Sequence, residues 1–315
     1  MRQSIRTVMA FDDVRAEQVL PAMDRLWRER RDLGTEGNRL FGDVVLPQDM
    51  FPRIENPTDY ALWLFYAALF MRGGIVSEDP FNPLNRLRDQ FPDMFVPARV
   101  AEWDEAKILS AFDAVGMLNY KRDEHAKAWL LNSRLLAEWW EGDPLFIFKR
   151  VGEFEAAFRR INAHKKTKER RGDGILGMRR KIFSLYVIWL QEAGLIKMFP
   201  APIPVDFHAM RVLFVTGVMR VSSTKEFVHN PEKPGQELLL PHKVVRITED
   251  MVDQITLWTQ EFIHRKRPRG QQLSHLNVNP ALWCLSRDKC ALQFQNGSRG
   301  DGTWYATATM LREHP

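Results

Sequence analysis

GDGILGMRRKIFSLYVIWLQEAGLIKMFPAPIPVDFHAMR, residues 172–211, decides the fold. Gly177 opens a turn into a helix over 178–192, whose first turn carries Arg179, Arg180 and Lys181. Ile182, Leu185, Val187, Ile188 and Trp189 make the rest of that helix apolar, which predicts burial. The unpaired N–H groups and positive dipole end at its start suit a phosphate, with Arg179 or Arg180 beside it. Pro200, Pro202 and Pro204 stiffen the following loop, and Pro204-Val205 brings Asp206 in extended to cap a helix starting at Phe207. Taken singly, Lys181 reads as a phosphate-binding or solvated lysine, Asp206 as a helix cap and His208 as a packed, hydrogen-bonded histidine.

Outward from this stretch the chain reads as helical. Val14, Val19, Met23 and Leu26 recur at helical spacing over 14–31. Asn56-Pro57-Thr58-Asp59 is a helix start, and YALWLFYAALFMRGG (60–74) is apolar on every face, so it predicts a central buried helix ending at Gly73-Gly74. Helical patterns recur over 101–113, 120–141, 151–163 and 248–265, while 244–247 (VVRI) is the one strand signal. Segments 74–84 and 198–206 read as proline-rich loops, and 229–236 as an exposed connection. The expected organisation is an N-terminal helical extension over 1–56, a barrel-like half over 57–220, and a C-terminal helical part over 221–315 packing with the N-terminus.

Composition sets the outer limits. The 315 residues carry 45 Lys+Arg against 40 Asp+Glu, are 45% hydrophobic and include only Cys284 and Cys290, which excludes disordered, collagen-like and disulfide-scaffold classes. No apolar run has the length of a membrane span, and Asp12-Asp13 break the opening segment, so neither membrane contact nor a signal peptide is expected. The expected location is the cytoplasm, on the nucleoid in a bacterial cell. Two thiolates cannot hold an iron-sulfur cluster or complete a zinc site, so no metal or other cofactor is expected. Positive charge is clustered at 164–171, which includes Lys165, Lys166 and Lys168, and again at 265–269. Each run is either a solvated loop or a contact for backbone phosphates.

The ordered set of these segments resembles the helix-hairpin-helix base-excision DNA glycosylases, the superfamily of endonuclease III and the adenine and oxoguanine glycosylases. Gly177 and Lys181 match the hairpin's first glycine and its catalytic lysine, and Val205-Asp206-Phe207-His208 matches the stretch with the catalytic aspartate. Upstream, 61–72 resembles the first barrel helix, Val115-Gly116-Met117-Leu118-Asn119-Tyr120-Lys121 a family segment, and 135–144 the one that follows it. The likeness is collinear over 57–220, with an echo at 276–290 entering the family's iron-sulfur loop, whose later cysteines are absent. Arg179 stands where the family has a second hairpin glycine, and Asp206 lies 25 positions after Lys181. That interval and the Ile203-Pro204-Val205-Asp206 spelling are more similar to archaeal oxoguanine glycosylases.

The resemblance implies an all-α helix-hairpin-helix glycosylase fold, with two helical subdomains and the active site between them. It implies a monomeric DNA glycosylase with lyase activity on double-stranded DNA holding a modified base, an oxidised purine favoured. Breaking an N-glycosidic bond builds positive charge on the sugar, which the resemblance assigns to the Asp206 carboxylate to stabilise. Lys181 is implied as the amine that forms a Schiff base; the chemistry needs a neutral amine, favoured by apolar surroundings or cationic neighbours such as Arg179 and Arg180. Lys197 in the inserted loop is the next amine in line. Gly177, Arg179, Arg180, Lys165, Lys166 and Lys168 are the expected phosphate contacts, with Arg72 near the position that fills the gap left by the flipped base. Trp63, Phe65, Phe70 and Trp189 supply aromatic surface for either the core or a base pocket. The alternatives are a glycosylase for a hypermodified base in foreign DNA and a non-catalytic DNA-binding protein that retains the fold.

Overall fold

The computed structural model describes residues 7–37, 46–71, 77–162, 174–223, 245–268, 270–286, 298–299 and 303–306. It is mostly helical, as the sequence predicts, with five short strands among these residues. Strand β1 (Thr7–Phe11) leads into α1 (Asp13–Gly37). There follow α2 (Pro57–Leu69), α3 (Phe81–Gln90), α4 (Pro97–Val100), α5 (Glu105–Ala114), α6 (Arg122–Trp140), α7 (Phe154–Asn162), α8 (Arg180–Glu192) and α9 (Phe207–Val215). Strands β2 (Met219–Ser223) and β3 (Val245–Ile247), helices α10 (Glu249–His264) and α11 (His275–Cys284), and strands β4 (Ser298–Arg299) and β5 (Thr303–Ala306) complete the described chain. No helix among the described residues is long and apolar enough to cross a membrane.

The chain divides into two compact units, Val45–Pro204 and the combination of Met1–Val44 with Val205–Pro315. These divisions differ in position from the 56/57 and 220/221 boundaries read from the sequence. Phe51 sits edge-on to Trp63, Phe81 and Trp189 at 5.0, 5.2 and 4.9 Å, which ties the segment before α2 to the Val45–Pro204 core. Helix α9 packs on α11, which places it with the other unit.

In the Val45–Pro204 unit, Asn56 caps α2 by accepting from the Thr58 and Asp59 N–H groups at 2.9 and 3.1 Å, with Pro57 at the first helical position. Every residue from Ala61 to Phe70 is buried. Tyr66 stacks on Trp129 of α6 at 3.9 Å, and the Tyr186 hydroxyl of α8 donates to the Ala61 carbonyl at 3.2 Å. Trp63, Phe65, Phe70 and Trp189 are all within this core, each at most 3% exposed, so the aromatic stripe serves packing. A fully buried ring of this kind stabilises by about 2–3 kcal/mol. Residues 81–84 correct the loop expected there: α3 begins at Phe81, and Pro83 falls in its first turn, where a missing N–H costs no helix bond.

In the other unit, β1 and β2 pair antiparallel from Thr7 with Ser223 to Phe11 with Met219, while β3, β5 and β4 form a second antiparallel sheet in that order. Helix α1 packs on α11. Asp24 of α1, 2% exposed, accepts from the Ser274 N–H at 2.9 Å and the Asn277 side-chain amide at 3.0 Å, and pairs with Arg28. The second basic run has structural work here. Arg265 pairs with Asp13 at 3.0 Å, while Arg267 pairs with Glu17 at 3.1 Å and donates to the Phe262 carbonyl at 2.8 Å, at the C-terminal end of α10.

Candidate functional site

The turn into α8 is built by backbone conformation and one buried amide. Gly174 has φ +56°, and a Cβ there would collide with the Ile161 carbonyl oxygen at the end of α7, so only glycine fits. The Ile175 N–H donates to that same carbonyl at 3.1 Å. Asn132, fully buried on α6, accepts from the Leu176 N–H at 2.7 Å and donates to the Leu176 carbonyl at 2.9 Å. Gly177 then reverses the chain at φ +86°, and Met178 is buried behind it.

Arg179 is the N-cap of α8, extended, exposed and without a side-chain capping bond, so the first N–H groups of the helix receive no side-chain cap. Arg180 pairs with Glu155 of α7, and its guanidinium lies 4.8 Å over the Phe158 ring. Its charge is therefore largely engaged within the protein. Lys181 is half-buried in the first turn, and no carboxylate among the described residues pairs with it. Arg72, Lys165, Lys166 and Lys168 lie outside the described residues, as does Cys290.

Asp206 caps α9, its Oδ1 accepting from the Ala209 N–H at 3.0 Å, after a buried approach through Pro204 and Val205. No hydrogen-bond partner for its Oδ2 occurs among the described residues. The cap and the extended approach follow the sequence reading. His208 bonds through Nδ1 to the Ser286 hydroxyl at 3.1 Å, and Arg211 donates to the Ser286 carbonyl at 3.1 Å while lying 3.8 Å over the Phe207 ring. Both residues fasten α9 to the end of α11. Cys284 is buried, and among the described residues no cluster of three His, Cys, Asp or Glu is placed to hold a metal ion.

Lys181 belongs to the Val45–Pro204 unit and Asp206 to the other. Sequence reasoning missed Asn132 and Glu155. Asn132 carried one signal, a polar residue among the apolar positions Leu130, Leu135 and Leu136 of a helix; Glu155 carried none. Compared with models of known protein families and with curated proteins, the chain matches none.

Proposed function

We propose that this chain is a DNA glycosylase with lyase activity that removes a modified base, an oxidised purine by preference, through a Schiff base on Lys181. One observation carries most of the support: a tight glycine turn delivers an amine with no carboxylate partner among the described residues beside helix N–H groups without a side-chain cap. The N–H groups and exposed Arg179 are suited to a backbone phosphate, which would leave the neighbouring amine near the sugar. The Lys181 nitrogen attacks the anomeric carbon as the base leaves with the electron pair of the glycosidic bond and takes up the proton the nitrogen loses. The nitrogen lone pair then forms the C=N bond as the ring C–O bond breaks and its oxygen is protonated. The Asp206 carboxylate stabilises positive charge on the sugar as that bond lengthens, using the oxygen its helix cap leaves over. The resulting Schiff base permits elimination of the strand on one side. Gly177, Arg72, Lys165, Lys166 and Lys168 remain proposed DNA contacts, as does Arg180, which would meet a phosphate from its pair with Glu155.

Borohydride trapping on labelled duplexes carrying different lesions tests the reading. The parent protein should give a covalent adduct, most with an oxidised purine, and Lys181→Ala should give none. A parental-rate adduct from Lys181→Ala moves the nucleophile to Lys197, and excision of oxidised pyrimidines alone overturns the substrate preference. A non-catalytic DNA-binding protein is the second reading, favoured because Asp206 and Arg180 each have a structural partner. Tight duplex binding by the parent with no adduct on any lesion selects it.

A further inference from the structure

The Val45–Pro204 unit contains a cleft of about 650 Å³ whose lining includes neither Lys181 nor Asp206, formed by residues drawn from 143–152 and 195–199. Both walls are fixed by side chains bonded to main chain. On one, Asp143 accepts from the Leu145 N–H at 2.8 Å and the Thr58 hydroxyl at 3.1 Å, so both carboxylate oxygens are engaged. The Arg160 guanidinium donates to the carbonyls of Phe146, Ile147 and Lys149 at 3.2, 3.0 and 2.8 Å. On the other wall α8 ends in a Schellman turn, with the Leu195 N–H on the Leu190 carbonyl at 2.9 Å and the Gly194 N–H on that of Gln191 at 3.1 Å. The buried Gln191 amide then donates to the Phe199 carbonyl at 2.9 Å. A cleft held in this way is largely formed before a ligand arrives.

Its lining joins two chemistries. Lys149, Arg150 and Lys197 are exposed cations, and none has an ion pair among the described residues; Glu153 and Glu155, the carboxylates nearest in sequence to the first two, are occupied by Arg159 and Arg180. Arg150 has φ +60°, a left-handed conformation that costs a residue with a side chain and recurs where a fold aims a group at a ligand. Leu145, Phe146, Val151, Leu195 and Ile196 are half-buried and present apolar surface, with the Lys149 ammonium 4.6 Å over the Phe146 ring.

We propose that this cleft binds a nucleoside phosphate, the phosphate on Lys149, Arg150 and Lys197 and the flat base on the apolar wall. Three cations against one already-bonded carboxylate favour a multiply charged oxyanion over a single carboxylate, and arginine offers it a bidentate fork. The half-buried ring and aliphatic surface accept a flat body by stacking, with little preference among bases. The ligand is either a free mononucleotide or one nucleotide of a single strand. Neither Lys181 nor Asp206 lines the cleft, so nucleotide binding there does not depend on the Lys181 chemistry.

Titration calorimetry on the full chain tests it, with deoxynucleoside 5′-monophosphates, a short 5′-phosphorylated single strand, the deoxynucleosides and inorganic phosphate as separate probes. Saturable binding of a mononucleotide or of the strand is expected, with phosphate alone and nucleoside alone at least about tenfold weaker. Whichever of the two binds more tightly identifies the source. Lys149→Glu with Lys197→Glu, both at exposed positions, should weaken binding at least about tenfold while circular dichroism stays parental. Ile196→Asp should weaken the nucleotide more than inorganic phosphate. Absence of saturable binding by both mononucleotide and strand, or unchanged binding in the doubly substituted protein, overturns the proposal.

Discussion

At the scale of a residue, Asp206 has two separable roles. Its Oδ1 caps α9, and the proposed chemistry uses its charge. Asparagine caps a helix about as well as aspartate, so Asp206→Asn should change the unfolding free energy by no more than about 0.5 kcal/mol, whereas Asp206→Ala should cost about 1 kcal/mol. The neutral amide cannot stabilise a developing cation, so base release should fall at least about a hundredfold in Asp206→Asn with duplex affinity largely retained. Urea denaturation and single-turnover base release measure the two effects side by side. Parental base release by Asp206→Asn would leave the residue with its cap alone. An equally stable Asp206→Ala would show that the cap contributes nothing measurable.

At the scale of elements, the link from α7 to α8 depends on Gly174 for a reason that Gly194 does not share. Both glycines have positive φ, +56° and +69°, but a Cβ at Gly174 meets a backbone carbonyl while one at Gly194 meets nothing within 4 Å. Gly194→Ala should therefore cost about 1–2 kcal/mol, the left-handed conformation alone. Gly174→Ala adds a collision that no rotamer relieves, so its unfolding midpoint should lie clearly below that of Gly194→Ala; equal midpoints would mean the turn yields easily. Elements set by local chemistry were legible in the sequence: α2 through its Asn-Pro cap, α8 through its glycine turn and apolar face, α9 through Asp206. Helix α3 was hidden by the prolines around its start, and the β1–β2 ribbon by a pairing of Thr7 with Ser223 that no local pattern announces. The same division runs through the site. The backbone settings of Gly177 and Asp206 were readable, while Glu155 on Arg180 and Asn132 on Leu176 depend on partners brought together only by packing.

At the scale of the whole molecule, α1 and α11, from opposite ends of the chain, pack within one unit, and a buried histidine there makes its stability depend on pH. His275, 3% exposed, begins α11, and its ring centroid lies 5.1 Å from that of His264. Burial first, and the neighbouring His264 charge second, lower its pKa to about 3 from the ordinary value of 6.5. The folded protein thus holds this ring neutral where the unfolded chain takes up a proton. The contribution is fully present above pH 6.5 and is lost as pH falls toward about 3, at roughly 1.4 kcal/mol per pH unit. Between about pH 7.5 and about pH 5 the parent should therefore lose about 2 kcal/mol more unfolding free energy than His275→Gln, which has no proton to take up. Carboxylates titrating over the same range contribute alike to both proteins and cancel in the difference. Urea titrations at the two pH values measure it, and equal losses would show that His275 protonates in the folded unit as readily as in the unfolded chain.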